Sequence, residues 1–182
     1  MRLLPLFACL ATMTASIPAL AEETRPTPVP GPVFTDFGAP YKVDSDVVVP
    51  RDSQFKLLFD VHQGTKPGQI NRIVDRAARF INLNVAAGVP VENIHIAIVA
   101  HGDAGADLLR DDVYRARFNG VANASAGPIS QLLAHGVAIY LCGQSAMARN
   151  MPKADLIPGV KMAPSAMTMD ALLQQQGYTL IP

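Results

Sequence analysis

Between residues 51 and 182, short apolar runs alternate with amphipathic segments. Three of the runs are bounded by polar and turn residues, a pattern typical of strands that are buried on both faces. These runs are 55–61 (FKLLFDV), 93–102 (NIHIAIVAHG) and 137–142 (VAIYLC). Two shorter apolar stretches, at 160–162 and 178–182, predict further strands near the end of the chain.

The segments between the runs carry apolar residues at helical spacing. In segment 69–88 the apolar side chains fall on one helical face and the arginines mainly on the other, and Gly88 ends the pattern. Further helices are predicted over 106–120, from Pro128, and over 164–177.

Strands without strict alternation, separated by helices, favour a parallel sheet covered on both faces. Right-handed crossovers then give a doubly wound topology. We therefore predict an α/β fold for residues 51–182, a single three-layer sandwich around a mainly parallel sheet.

Residues 1–21 have the features of a signal peptide. Arg2 supplies a positive start, an apolar stretch follows, and Ala19-Leu20-Ala21 matches the small-x-small cleavage pattern. The apolar stretch is too short to favour a retained membrane span. We therefore expect cleavage after Ala21 and a periplasmic or secreted protein without stable membrane insertion.

Residues 22–50 form a Pro-rich extension, a composition typical of extended, semi-rigid segments. Phe34, Phe37 and Tyr41 are unusual for a pure linker. These aromatic side chains can anchor the extension to the domain or to a second subunit.

The charge balance and the cysteine count limit the partners and the chemistry that we expect. The chain has 15 basic and 15 acidic side chains and a net charge of zero, so nothing favours nucleic acid as a partner. Of its 2 cysteines, Cys9 lies in the predicted signal peptide. Cys142 would be the only thiol of the mature protein, where a disulfide requires a second molecule.

Three polar clusters follow the three predicted inner strands, at 60–64, 100–103 and 142–145. The carboxyl ends of parallel strands share one edge of a sheet, where α/β proteins bind ligands. We therefore expect these clusters to converge on one crevice.

Cys142 lies where a strand gives way to a helix or turn. Backbone N–H groups of residues 143–146 can face the sulfur and favour the thiolate, which is the nucleophilic form. The alternative is that Cys142 is a small buried apolar residue, as free cysteines often are.

The residues around the thiol have functional and structural interpretations. His101 is the expected proton partner of Cys142, or a histidine that caps its loop. His62 has the same position after a strand in a more exposed setting. Gly143 leaves space beside the sulfur, and Gln144 and Ser145 donate to a bound sulfur species or cap the next helix.

Two further possibilities concern acidic and sulfur-containing side chains. Asp103 and Asp107 either orient His101 or are solvated carboxylates at a helix start. Cys142, Met147 and Met151 have a spacing that can offer soft ligands to Cu(I), although methionines more often fill apolar cores. No His/Cys spacing is typical of a zinc site, and no cofactor-binding motif is present.

The chain between about 55 and 181 resembles the DsrE-like family of sulfur-relay proteins, in its exported branch. The resemblance rests on the order and spacing of FINLNVAAGV, IAIVAHGDA, DDVYRARF, VAIYLCGQSA, LIPGV and PSAMTMDALLQQQGYTLI. It implies a compact α/β sandwich that assembles as trimers or hexamers. It also implies that Cys142, in LCGQ, carries sulfur as a persulfide, and it places His101 in a family-like VAHG motif.

The leading hypothesis is an exported sulfur carrier or, if catalytic, a sulfurtransferase that needs no cofactor. Cys142 and His101 would be its catalytic residues, and Gly143, Gln144, Ser145 and His62 would bind the substrate. Its partners would be small sulfur species or a thiol protein. The alternatives are a non-enzymatic oligomeric scaffold with a structural cysteine and, less favoured, a Cu(I) binder.

Overall fold

Five parallel strands form the single sheet of the computed structural model, which describes residues 26–182. Along the sheet their order is β4-β3-β2-β1-β5. The strands are β1 (Phe55–Val61), β2 (Ile94–Ala100), β3 (Ala138–Cys142), β4 (Lys161–Ala163) and β5 (Thr179–Ile181). The predicted parallel α/β fold is confirmed. The predicted signal peptide, its cleavage site at Ala21 and Cys9 lie outside the described residues.

Five α-helices connect or flank these strands within the described part of the chain. They are α1 (Arg72–Ala86), α2 (Asp111–Arg117), α3 (Ala126–Ala134), α4 (Gly143–Ala148) and α5 (Ala166–Gln175). Three short 3₁₀ helices lie at Val91–Asn93, Gly102–Leu108 and Lys153–Asp155. None of the helices between residues 26 and 182 has the length and apolar character needed to cross a membrane.

The two faces of the sheet are covered differently. Helices α1 and α3 contribute to the larger apolar cluster on the first face, which we call the packed face. Its strand residues include Leu57, Phe59, Ile96, Ile98, Ile139 and Leu141. Helix α5 crosses β1, β2 and β3 on the second face, which we call the site face. By alternation along the strands, its residues are Leu58, Asp60, Ala97, Val99, Tyr140 and Cys142.

The predicted helix over 106–120 is wrong in its first half. Residues Gly102–Leu108 form a 3₁₀ helix, and α2 begins only at Asp111. Leu109 between them forms an antiparallel bridge with Leu156. The Arg110 amide donates to Asp155 O at 2.9 Å. Pairing with a distant segment interrupts the helix that the local pattern favours.

The described part of the Pro-rich extension packs on α1 without forming a helix or strand. Phe34 and Phe37 are buried in the packed-face cluster, whereas Tyr41 is exposed. The buried amide of Asn82 accepts from the Phe34 amide at 3.0 Å and donates to the Gly38 carbonyl at 3.0 Å. Two of the three aromatics therefore anchor the extension to its own domain.

Candidate functional site

Cys142 is the last residue of β3, and α4 begins at the next residue. Its side chain faces α5 and is 5% exposed. Burial acts to raise the pKa of the thiol, but hydrogen bonds from the amide and hydroxyl of Ser145 and from the amides of Ala166 and Gln144 outweigh it. The pKa therefore lies below its ordinary value, and the thiolate is favoured.

The groups that lower the pKa of the Cys142 thiol come from two separate helices. Gln144 and Ser145 belong to α4, whereas Ala166 is the first residue of α5. Ser165 caps α5 by accepting from the Thr168 amide at 3.0 Å, which leaves the Ala166 amide for the sulfur. The sequence predicted the contribution of residues after Cys142 but missed Ala166.

Ser145 links the ends of β2 and β3. Its hydroxyl oxygen accepts from the Gly102 amide at 3.1 Å, and its proton is free to point at the Cys142 sulfur. Gly102 has φ +56, so the chain turns sharply just after His101. Ser145 therefore acts directly on the sulfur and also fixes the turn that carries His101.

Gly143 and Gln144 hold the connection between β4 and α5 against the thiol. A Cβ atom on Gly143 would lie 2.7 Å from Ala163 O, so only glycine fits without a shift. The Gln144 side-chain amide donates to Pro164 O at 3.3 Å. These contacts bring the start of α5, with the Ala166 amide, close to the sulfur.

His101 follows β2 on the same face as Cys142. The last residue pair of β2 and β3 is Ala100 with Leu141, so His101 and Cys142 are the next residues of neighbouring strands. The groups that lower the thiol pKa belong to residues 144, 145 and 166, and His101 is not among them. The structure brings the two predicted catalytic residues to one edge without a direct hydrogen bond.

Asp60 orients His101. The His101 Nε2 atom lies 3.0 Å from Asp60 Oδ1, and Asp60 occupies the end of the adjacent strand β1. In a neutral imidazole this contact places the proton on Nε2 and leaves Nδ1 as an acceptor.

Asp103 and Asp107, the carboxylates that the sequence suggested for orienting His101, have other partners. Asp103 pairs with Arg149 at 3.1 Å. Asp107 is buried, accepts from the Asn71 amide group at 2.7 Å, and accepts from the Thr65 backbone at 3.1 Å. Burial raises the pKa of Asp107 despite those two hydrogen bonds.

His62 lies beside His101, with ring centroids 5.8 Å apart. Its carbonyl accepts from the Asp103 amide at 3.0 Å, which ties the end of β1 to the turn after β2. His62 also lines an open cavity of about 870 Å³ at the carboxyl end of β1. Of the predicted substrate-binding residues, His62 is the one that reaches this cavity.

The part of the cavity wall that α1 supplies is basic. Helix α1 contributes Arg72, Arg76 and Arg79. Arg79 pairs with Asp75 on the same helix, whereas Arg76 donates to Pro182 O at 2.8 Å and lies over the Phe59 ring. The arginines outnumber the carboxylates of the lining, so the cavity favours anions.

Asp170 is a second residue that sequence reasoning missed. It lies on α5, and its Oδ1 atom is buried without a hydrogen-bond partner in the described chain. Burial and the nearby Asp60 carboxylate raise its pKa to about 6, against a smaller opposing effect of His101. The local sequence gives no signal for this, because Asp170 looks like a polar residue of an amphipathic helix.

The three candidate Cu(I) ligands do not converge. Met151 is buried in the packed-face cluster, Cys142 belongs to the site face, and Met147 is 81% exposed. Among residues 26–182, no group of three or more His, Cys, Asp or Glu side chains is arranged to hold a metal ion.

Comparison with known proteins identifies the family. The model of the DsrE/DsrF-like family matches residues 56–182. The fold is similar to that of MTH1491 from Methanobacterium thermoautotrophicum, a protein of unknown function, with 21% identity and a TM-score of 0.52 over 70% of this chain and 98% of that one. It is also similar to the ychN protein from E. coli, with 16% identity and a TM-score of 0.50 over 70% of this chain and 97% of that one. No curated protein matches this chain. The family match spans most of the sequence, and the chain belongs to the DsrE/DsrF-like family.

Proposed function

We propose that this protein is an exported sulfur carrier that holds sulfane sulfur as a persulfide on Cys142. Proteins of the DsrE/DsrF-like family often take part in sulfur relay. The observation that carries the proposal is the position of Cys142 at the end of β3, directly before α4 and against the start of α5, where polar groups of residues 144, 145 and 166 lower the thiol pKa. A side chain that served packing alone would need no such donors.

The transfer step needs no oxidant. The Cys142 thiolate attacks the outer sulfur of a donor R–S–SH, the donor S–S bond breaks, and R–S⁻ leaves with the electron pair. The product is Cys142–S–SH. An acceptor thiolate then attacks the outer sulfur and regenerates the Cys142 thiolate, so loading and discharge are the same exchange reaction in two directions.

The cavity beside His62 supports an anionic donor. Inorganic polysulfide is a negatively charged chain of sulfur atoms, and the cavity wall carries Arg72 and Arg76. Asp60 and His62 line the same cavity, and Asp60 contacts His101 on the site face. Neither His101 nor Cys142 lines the cavity, so a donor bound there would approach the thiol past Asp60 and His62.

Intact mass measurement tests the proposal. The purified protein is incubated with polysulfide, and we expect the mass to rise by one sulfur atom, about 32 Da. Two added oxygen atoms give almost the same mass, but dithiothreitol removes a persulfide sulfur and does not reduce a sulfinic acid. The proposal fails if no reducible adduct forms, or if Cys142→Ser retains it.

A scaffold function is the second candidate, favoured by the 5% exposure of Cys142 and its contact with a buried cluster. In that case the thiol would be an apolar core residue. Thiol titration of the native protein separates the two candidates. Labelling that needs denaturant favours the scaffold, and labelling of the folded protein favours the carrier.

Export and assembly complete the proposal. The features of residues 1–21 support a periplasmic or secreted location with cleavage after Ala21. Family members commonly form oligomers, and Met167, Leu172 and Leu180 expose apolar surface on α5 and β5. We expect a trimer or hexamer, and a monomer in light scattering would contradict that expectation.

A further inference from the structure

The connection between β1 and α1 forms part of the cavity wall. Residues 62–71, which we call the cavity loop, contain no helix or strand. Helix α1 supplies the arginines of the same cavity. The loop residues that line it are His62, Gln63, Gly64, Thr65, Ile70 and Asn71. The shape of the cavity therefore depends on where the loop lies relative to α1.

The cavity loop has little apolar packing of its own. Ile70 is partly buried against the packed-face cluster. The positions from 62 to 69 are exposed or half-buried, and they are polar residues, glycines or Pro67. A segment with so few buried apolar contacts is ordered mainly by its hydrogen bonds.

Asp107 holds two points of this loop with one oxygen atom. Its Oδ2 atom accepts from the Thr65 amide at 3.1 Å and from the Asn71 side-chain amide at 2.7 Å. The Asn71 side-chain amide also donates to the Gln63 carbonyl at 3.4 Å. The Asn71 Oδ1 atom accepts from the Ile73 amide at 2.9 Å and so caps α1. One carboxylate is thus joined to the middle of the loop and to the first turn of α1.

The other contacts of Asp107 are buried. Its side chain is 3% exposed and lies in the 3₁₀ helix Gly102–Leu108. Its carbonyl accepts from the side-chain amide of Asn123 at 3.0 Å. The buried Ser125 hydroxyl accepts from the Asn71 amide at 2.9 Å, and the Ser125 amide donates to Asn123 Oδ1 at 3.0 Å. The carboxylate is therefore anchored to a buried network, whereas the loop that it holds is weakly packed.

The charge of Asp107 strengthens its hold on the loop. Among residues 26–182, Asp107 forms no ion pair. A buried carboxylate needs hydrogen-bond donors to offset the loss of water, and Thr65 and Asn71 supply them. Hydrogen bonds to a charged acceptor are about twice as strong as those between neutral groups.

We propose that Asp107 is a positioning residue for the cavity, which holds the cavity loop through Thr65 and Asn71 in the position that binds an anionic sulfur donor. The proposal rests on the proposed function, because that function brings the donor into this cavity. Asp107 itself does not line the cavity, so it acts through the loop and not by contact with the donor. When the loop leaves this position, fewer molecules are competent to bind, and the apparent affinity falls in proportion.

The concentration dependence of sulfur loading separates this role from a purely structural one. For Asp107→Ala we expect the polysulfide concentration that gives half the maximal loading rate to rise about tenfold, which is the effect of losing one hydrogen bond to a charged group. The maximal rate should stay unchanged, because Cys142 lies at the end of β3, outside the loop and its contacts. Intact mass measured over time at several polysulfide concentrations gives both values.

Two further variants complete this experiment. Asp107→Asn keeps an oxygen that can accept from Thr65 and Asn71, so its half-saturating concentration should rise only about threefold, because the acceptor is neutral. This variant carries the test if Asp107→Ala does not fold. Asn84→Ala removes a buried amide that donates to Phe80 O at 2.8 Å within α1. It should lower the free energy of unfolding and leave the half-saturating concentration unchanged.

Hydrogen exchange gives a readout that does not depend on sulfur chemistry. In Asp107→Ala the Thr65 amide loses its acceptor, so the peptide that covers residues 62–71 should exchange faster than in wild type. Peptides from β2 and β3 should keep the wild-type rate, because their amides belong to the sheet.

An unchanged half-saturating concentration in Asp107→Ala would overturn the proposal, as would an equal rise in Asn84→Ala. If wild type forms no persulfide, the proposed function fails, and hydrogen exchange alone decides on Asp107. Faster exchange confined to the cavity loop would then still support its hold on the loop. Exchange that is unchanged, or faster throughout the sheet, would overturn it.

Discussion

The packed face and the site face of the sheet use the same strands for different purposes. On the packed face, α1 and α3 help to bury a large apolar cluster that includes Phe59 and Leu141. On the site face, a single helix covers a much smaller cluster, and Asp60, His101, Cys142 and Asp170 lie near its edge. Because side chains alternate along each strand, the residues that stabilise the fold and the residues of the candidate site lie on opposite faces of the sheet.

This separation matters because polar groups are costly inside an apolar core. Each buried charge or unpaired donor on the packed face would oppose folding. The site face can keep an unpaired carboxylate oxygen and a thiol of lowered pKa because most of the apolar burial occurs on the other side. Substitutions at neighbouring positions should therefore have effects of different kinds.

Leu141 and Cys142 give the largest contrast, since they are adjacent and face opposite sides. Leu141→Ala leaves a cavity in the packed face and should lower the free energy of unfolding by about 2–5 kcal/mol. Cys142→Ser should abolish sulfur loading and cost about 1 kcal/mol or less, because polar partners are already present. Urea unfolding and intact mass measure both effects. Similar unfolding losses in both variants would refute the separation.

Gly143→Ala should have the next largest effect. The new methyl group would lie 2.7 Å from Ala163 O, so the connection to α5 must shift and take the Ala166 amide from the sulfur. We expect a loss of about 1–3 kcal/mol in the free energy of unfolding, together with slower alkylation at pH 7. Gly127→Ala is the control, because its Cβ would meet nothing within 4 Å. Equal behaviour of the two variants would contradict this reading of Gly143.

Ser145→Ala should slow alkylation of Cys142 in the native protein without unfolding it. It removes the hydroxyl that donates to the sulfur, so the thiol pKa should rise and the alkylation rate at pH 7 should fall about three- to tenfold. Ser130→Ala removes an exposed hydroxyl on α3 and should leave the rate unchanged. A pH–rate profile of each variant measures the shift, and an unchanged Ser145→Ala profile would count against the hydrogen bond.

Asp170→Asn should have a small effect on stability, and the size of that effect depends on pH. Burial raises the pKa of Asp170 from 3.8 to about 6, so its protonated form contributes stability that is present below 3.8 and lost as pH rises through 6. The difference in Tm between the variant and wild type should be about 2–4 °C more favourable to the variant at pH 7.5 than at pH 4. Thermal melts at both pH values test this. A gain that is larger at pH 4 would contradict it.

The strands and the position of Cys142 at the end of a strand were predictable from local sequence, because apolar runs indicate burial and Cys142 ends one of these runs. Ser145 was also predictable, since the first residues of a helix present amides to the residue before it. Asp60 could not be assigned a role, because its contact with His101 depends on strand order, and the buried position of Asp170 depends on the path of α5.

Asp103 shows that a residue close to His101 in the sequence can have a different partner in the structure. It lies two residues from His101, yet the turn at Gly102 directs it toward Arg149. Asp60 is 41 positions away from His101 in the printed sequence and contacts its ring. Long-range pairing of parallel strands brings residues together that no local pattern relates.

The pH dependence of alkylation of native Cys142 tests most directly whether the site face holds a reactive thiolate. The account predicts that iodoacetamide labels the folded protein without denaturant. It also predicts that the rate reaches half its maximum below pH 9.0, the ordinary value from which the pKa of the Cys142 thiol is lowered. Labelling that requires denaturant, or a half-maximal rate at or above that pH, would show that Cys142 is a core residue and would contradict the account.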